Sequence, residues 1–214
     1  MTEAILFDLD GTLVDSERHY TEGTKKWLEE IGICKDIEEI YPIIGLTNDQ
    51  STEYLHKLTG LPKEEVDRLN SRYFLVEHPI DYRDYLFPDV KDTLKQLKER
   101  GIRTAICSGS EKFLIERFLE NCGLSGYFDV LFSSEHYADK PDPSLYLAAM
   151  KELGLGPEDC IIVEDSRTGI EAGKRAGCRT LARDASRYHI QQEEADKIIK
   201  DLHEVLEEIN ERND

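Results

Sequence analysis

The densest grouping of reactive side chains lies near the start of the chain, at Asp8-Leu9-Asp10-Gly11-Thr12, directly behind the apolar run Ala4-Ile5-Leu6-Phe7. A short apolar run of this kind makes a buried strand. Asp and Gly favour turns, so the chain is expected to leave its strand here. If the extended backbone persists to residue 10, the period-2 geometry of a strand aims Asp8 and Asp10 at the same side. Two carboxylates held that close favour a cation or a proton between them. Taken alone, the segment reads equally well as a strand with an ordinary Asp-Gly turn, which leaves Asp8 without a role.

Three further polar groupings follow apolar runs: Ser108-Gly109-Ser110, Lys140-Pro141-Asp142-Pro143 and Glu164-Asp165-Ser166. Each has a plain structural reading. Ser108 would cap the helix that follows it, and Lys140 would be a solvated loop lysine. Glu164 and Asp165 would be capping acids, with Asp165 or Ser166 at the N-cap. These readings leave one thing unexplained, which is that all four groupings fall at strand ends.

The elements that position them follow from periodicity. Strands are expected over 4–7, 102–107, 130–132, 160–163 and 179–182. Helices are expected from Val90 to Gly101 and over 111–122, 144–153 and 169–176. A C-terminal helix carries Ile198, Leu202, Val205 and Ile209 at helical spacing. Strands alternating with helices of about ten residues mean βαβ units and a parallel sheet. Residues 16–82 break the alternation. They show only helical patterns: one through Tyr20, Thr24, Trp27, Leu28 and Ile31, a second over 49–58, and a third over 63–77 with Val66, Leu69, Tyr73 and Val76 on one side. The fold class expected is therefore α/β: a Rossmann-like, doubly wound parallel sheet core (residues 1–15 and 83–214) with an inserted all-helical domain (residues 16–82). In such sheets ligands bind beyond the carboxyl ends of the strands, and there the four groupings converge.

The residue types suit phosphoryl transfer. A carboxylate nucleophile can take the phosphoryl group as an acyl phosphate, splitting one hard step into two. A second carboxylic acid can protonate the leaving oxygen and later deprotonate water. A hard cation held by carboxylates suits magnesium. A hydroxyl, backbone amides and a lysine can hold the equatorial oxygens.

Asp8-Leu9-Asp10-Gly11-Thr12, then Ser108, Lys140-Pro141 and Glu164-Asp165-Ser166 with Gly169, resemble the four motifs of the haloacid dehalogenase superfamily. The helical insertion looks like the cap of its β-phosphoglucomutase-like subfamily. The resemblance spans nearly the whole chain and implies roles residue by residue. Asp8 is the nucleophile and Asp10 the general acid/base. Ser108 and Gly109 bind the phosphoryl group with Lys140, which also offsets charge on Asp8. Asp8, Asp10 through its main-chain carbonyl, Glu164 and Asp165 hold Mg2+. It implies a cap that closes over the site, hinged near residues 14–17 and 80–87, with Gly45, Thr47 and Asn48 as its substrate loop. Asp10 speaks against dehalogenase chemistry, since members acting on carbon–halogen bonds lack this second acid.

Two alternatives to a phosphatase stand beside it. Mutases of the subfamily carry a histidine five residues past the acid at the cap entry, and basic cap residues for a distal phosphate. Here Asp15 is followed five residues later by Tyr20, with His19 one position off. Gly45-Leu46-Thr47-Asn48-Asp49 has no Arg or Lys, and Phe74-Leu75-Val76 stands where a cap lysine is expected. These departures favour hydrolysis of a small phosphorylated metabolite over a β-phosphoglucomutase-like mutase. A non-enzymatic, phospho-accepting receiver-like module ranks lower, because it has no helical insertion of this size.

Composition bounds the rest. A chain of 214 residues with 39% hydrophobic and 34% charged residues suits a soluble globular protein. With 27 basic against 45 acidic side chains the formal net charge is -18. A field of that sign speaks against nucleic acid and anionic membrane surfaces as partners, and requires any anion site to carry local positive charge. No apolar run approaches the roughly 20 residues that span a bilayer. Five cysteines without Cys-x-x-Cys spacing and six histidines without ligand spacing point to free thiols in a reducing cytoplasm and away from zinc. A monomer or weak homodimer is expected.

Overall fold

The computed structural model describes residues 1–46 and 48–213, with the side chains of 211–213 left aside. The chain divides into two compact units, Met1–Asp15 with Tyr82–Asp214, and Ser16–Asp81.

The first unit is built on six parallel strands: β1 (Ala4–Phe7), β2 (Arg103–Ser108), β3 (Val130–Ser133), β4 (Cys160–Glu164), β5 (Arg179–Arg183) and β6 (Lys197–Ile199), in the order β3-β2-β1-β4-β5-β6. The connections in this unit carry α4 (Val90–Glu99), α5 (Lys112–Cys122), α6 (Ser144–Leu153) and α7 (Arg167–Arg175), and α8 (Glu204–Asn213) follows the last strand. Every residue of β1 and β4 is buried, as strands covered on both faces require. Ala4 and Leu6 join Ala105, Cys107, Cys160 and Ile162 on the face packed by Leu145, Tyr146, Ala149 and Met150 of α6. β1 lies between β2 and β4, so the strand order reverses beside it, and crevices for ligands form at such reversals.

The second unit holds α1 (Ser16–Glu30), α2 (Asn48–Thr59) and α3 (Lys63–Arg72). Its own core is Trp27 and Leu28 from α1, Ile40, Leu55 from α2, Val66 from α3, and Tyr73 with Phe74.

Two expectations are corrected. The third helical pattern does not run unbroken to residue 77: α3 ends at Arg72 and widens into a π-turn over Tyr73–Glu77. That extra residue per turn shifts the phase. Tyr73 and Phe74 therefore point inward, while Val76, expected on the inner face, is 74% exposed. Ile198 belongs to β6 and not to the C-terminal helix, which starts at Glu204. The β-branched pair Ile198-Ile199 extends the sheet edge, and the Asp196 carboxylate accepts from the Thr180 amide (2.7 Å) to set its register.

Candidate active site

The ladder between β1 and β4 extends one residue past the strand, the Asp8 amide donating to the Val163 carbonyl at 2.9 Å. Asp8 therefore leaves the sheet level with Glu164. The turn that follows needs Gly11, whose φ of +78° favours glycine, and a Cβ there would collide with the Asp165 carboxylate. The Asp-Gly turn is thus real and serves the acids: it lets the loops after β1 and β4 close on each other.

Lys140 joins them. Its ammonium is paired with Asp8 Oδ1, contacts Glu164 Oε1 at 2.6 Å and donates to the Cys107 carbonyl at 3.1 Å. This lysine is almost buried, with 11% of its side chain exposed, so the solvated-loop reading fails. Burial alone would lower its pKa, but Asp8 and Glu164 raise it and keep it charged.

Glu164 is fully buried and accepts from five groups: Lys140 Nζ and the Tyr146 hydroxyl (2.6 Å) on Oε1, and the Asp165 amide (3.1 Å), the Ser166 amide (3.3 Å) and Ser166 Oγ (3.1 Å) on Oε2. Burial pushes its pKa up, yet Lys140 and these donors outweigh that and hold it below the usual range. Burial and the charge on Glu164 raise the Tyr146 phenol, so it stays a donor. Ser166 is the N-cap of α7 and accepts from the Gly169 amide at 3.0 Å. The capping reading holds for Ser166, while Glu164 and Asp165 turn to the acid cluster.

Asp10 takes a different partner. Its Oδ2 accepts from Ser110 Oγ at 2.6 Å, and the Ser110 amide donates to Ser108 Oγ at 2.9 Å. Ser108 is buried and is not a helix cap, since α5 begins from Glu111. Its hydroxyl accepts from Ser110 and keeps a proton to donate. The Gly109 carbonyl is held by Ser134 Oγ at 2.7 Å.

Among the described residues one group of acids lies close enough to share a metal ion: oxygens of Asp8, Glu164 and Asp165 all fall within 4.8 Å of one another. The Asp10 carboxylate, turned to Ser110, is not among them. The donor set suits a hard divalent cation, with three carboxylates against one ammonium. Burial raises Asp8 to about 8, Lys140 pulling against it and Glu164 and Asp10 adding to it. A divalent charge beside these oxygens would reverse that direction and leave Asp8 ionised. Gly45 and Asn48 belong to the helical unit, exposed at and just before the start of α2; Thr47 lies outside the described residues.

The sequence and the fold are similar to those of known proteins. Residues 5–183 fit the family model described as haloacid dehalogenase-like hydrolase. The chain belongs to that family. A phosphoglycolate phosphatase of Aquifex aeolicus is 36% identical over 185 residues, 82% of each chain. A phosphorylated carbohydrates phosphatase of Thermotoga maritima is 29% identical, covering 84% of this chain and 83% of that one. A hydrolase of the family from Deinococcus radiodurans, solved with bound phosphate and sodium, superposes with a TM-score of 0.80 at 27% identity over 99% of this chain and 96% of its own. Membership of this hydrolase family removes the receiver-like reading.

Three residues of the site escaped sequence reasoning. Ser110 was visible only as part of a Ser-Gly-Ser turn. Tyr146 sits in the apolar stripe of α6 and looks like core. Gln192, whose Nε2 donates to the Asp165 carbonyl at 2.6 Å, lies in a polar loop that carries no signal at all.

Proposed function

We propose that the protein is a Mg2+-dependent phosphatase that hydrolyses a small phosphorylated metabolite, a sugar phosphate or a similar ester. The observation that carries this reading is the grouping of Asp8, Lys140 and Glu164 beside the Asp10–Ser110 pair, at the carboxyl ends of neighbouring strands. Asp8 attacks phosphorus, forming the aspartyl O–P bond as the P–O bond to the alcohol breaks. Asp10, held by Ser110, acts as the general acid toward the leaving oxygen. It then takes a proton from the water that attacks the aspartyl phosphate and releases inorganic phosphate. Lys140, the Ser108 hydroxyl and the Gly109 main chain hold the charged phosphoryl oxygens. Asp8, Glu164, Asp165 and the Asp10 carbonyl would hold Mg2+, which supplies positive charge against the phosphoryl oxygens.

The unit Ser16–Asp81 takes the role of the cap in this reading, with Gly45, Thr47 and Asn48 as its candidate substrate loop. Hydrolysis is favoured over isomerisation because the stretches of this unit expected to clamp a second phosphate contain no lysine or arginine. A screen of phosphorylated metabolites with Mg2+, reading released phosphate alongside isomer formation, tests both points. Asp8→Asn is expected to lose turnover on the order of ten-thousandfold while unfolding at an unchanged midpoint. Wild-type rates in that variant, or in excess chelator, would overturn the mechanism.

A further inference from the structure

The loop after β5 makes contacts that the chemistry above does not use. Gln192 is buried, and all the polar groups of its carboxamide are engaged. Its Nε2 donates to the Asp165 carbonyl and to the Arg183 carbonyl, both at 2.6 Å, and its Oε1 accepts from the Ala185 amide at 3.0 Å. The same loop also grips Asp15, at the end of the segment that follows Asp10. Arg187 pairs with Asp15 at 2.5 Å, the Tyr188 hydroxyl donates to Asp15 at 2.8 Å, and the Arg187 guanidinium lies over the Tyr188 ring at 4.5 Å. Residues 183–192 thus touch the segment behind Asp8 and Asp10 on one side, and the loop after β4 on the other.

We propose that Gln192 is a positioning residue for Asp165, and that residues 183–192 form a strap that sets the direction of its carboxylate. The proposal rests on reading Asp165 as a Mg2+ ligand. Asp165 is held at both ends of its backbone: its amide donates to Glu164 Oε2, and its carbonyl accepts from Gln192. Its carboxylate lies in the space that a side chain at residue 11 would fill. With the peptide planes on either side fixed, few orientations of the carboxylate remain, which lowers the cost of ordering it around a cation. Groups that orient a metal ligand without touching the metal commonly alter affinity by about tenfold to a hundredfold when removed. Gln192 reaches the site from 27 residues beyond Asp165 with a neutral group. It can therefore fix the loop without adding charge to a cluster that already holds three acids.

The test is Gln192→Met, which keeps the length of the side chain and removes its donors and its acceptor. Mg2+ is titrated into wild type and variant without substrate, following the backbone amide resonances of Asp165 and Ser166. The variant is expected to bind Mg2+ about tenfold to a hundredfold more weakly, with kcat on a phosphate ester returning toward wild type at saturating Mg2+. A purely structural role would lower the unfolding midpoint and leave Mg2+ affinity alone; unchanged affinity in the folded variant overturns the proposal. If Gln192→Met does not fold, the wild type decides: the Gln192 side-chain amide resonances shift as Mg2+ binds, and resonances that do not move overturn it. Wild type that binds Mg2+ but releases no phosphate from any ester overturns the phosphatase reading alone, whereas wild type that binds no Mg2+ overturns both.

Discussion

At the scale of single residues, the site depends on side chains that are absent as much as on those present. A Cβ at Gly169 would run into the Glu164 carboxylate. In an ordinary helix Gly→Ala gains up to about 1 kcal/mol. Here it would displace a buried acid, and each hydrogen bond to a charged group contributes about 1.5–3 kcal/mol. The loss is the larger effect, so Gly169→Ala is expected to destabilise by about 2 kcal/mol or more and to lower turnover, measured by urea unfolding and by phosphate release. The acids and Lys140 were legible only jointly, because four such groupings rarely converge on one edge of a parallel sheet by accident, whereas each alone reads as a turn, a cap or a loop lysine. Tyr146 was not, because Leu145, Tyr146, Ala149 and Met150 share one apolar stripe, and a phenol reaching a buried carboxylate leaves that spacing unchanged.

At the scale of elements, the strands with continuous apolar runs were legible, and so was the interruption by a helical block. β6 was not. Of its three residues at the sheet edge only Ile199 is buried, and Ile198 is exposed, so they lack the apolar run that marks the inner strands, and Ile198 fits a helical spacing with Leu202 by chance. The π-turn after α3 was hidden for a related reason, since periodicity assumes one residue count per turn. The stretch between β6 and α8 also carries a titrating contact. His203 bonds Asp92 of α4 at 2.9 Å and Asp201 at 2.5 Å. These bonds, Asp92 first, raise its pKa above the usual value, burial opposing slightly. A raised folded-state pKa contributes stability that is complete below about pH 6.5 and is lost as pH rises through the folded value. Both partners are solvent-exposed, so the contribution stays under about 1 kcal/mol. His203→Gln is therefore expected to flatten the unfolding midpoint between about pH 6 and 8, read by thermal melts across that range.

At the scale of the whole molecule, the net charge of -18 sets a field that opposes the approach of any phosphate ester. Lys140 is nearly buried between two carboxylates, and its charge is spent locally. Raising ionic strength from about 0.01 to 0.15 M shortens the screening length from about 30 Å to about 8 Å. KM for an anionic substrate is expected to fall over that range, at constant free Mg2+, with kcat little changed. A KM that rises with salt instead would mean that unseen positive charge dominates the approach.

β1 stands in the middle of the sheet, with Ala4 opposite Arg103 on one side and Cys160 on the other. None of its hydrogen bonds can close until distant parts of the chain arrive, whereas the helices of Ser16–Asp81 need only local neighbours. Long-range parallel pairing is slow to form. The folding order this implies is helices first and central strand last. Until then Ala4-Ile5-Leu6-Phe7 is a short sticky edge, open to aggregation or to a chaperone. On that order Asp8, the nucleophile of the proposed mechanism, would be delivered by the part of the fold that matures latest, its carboxylate set in place only when the rest of the sheet is ready to hold it.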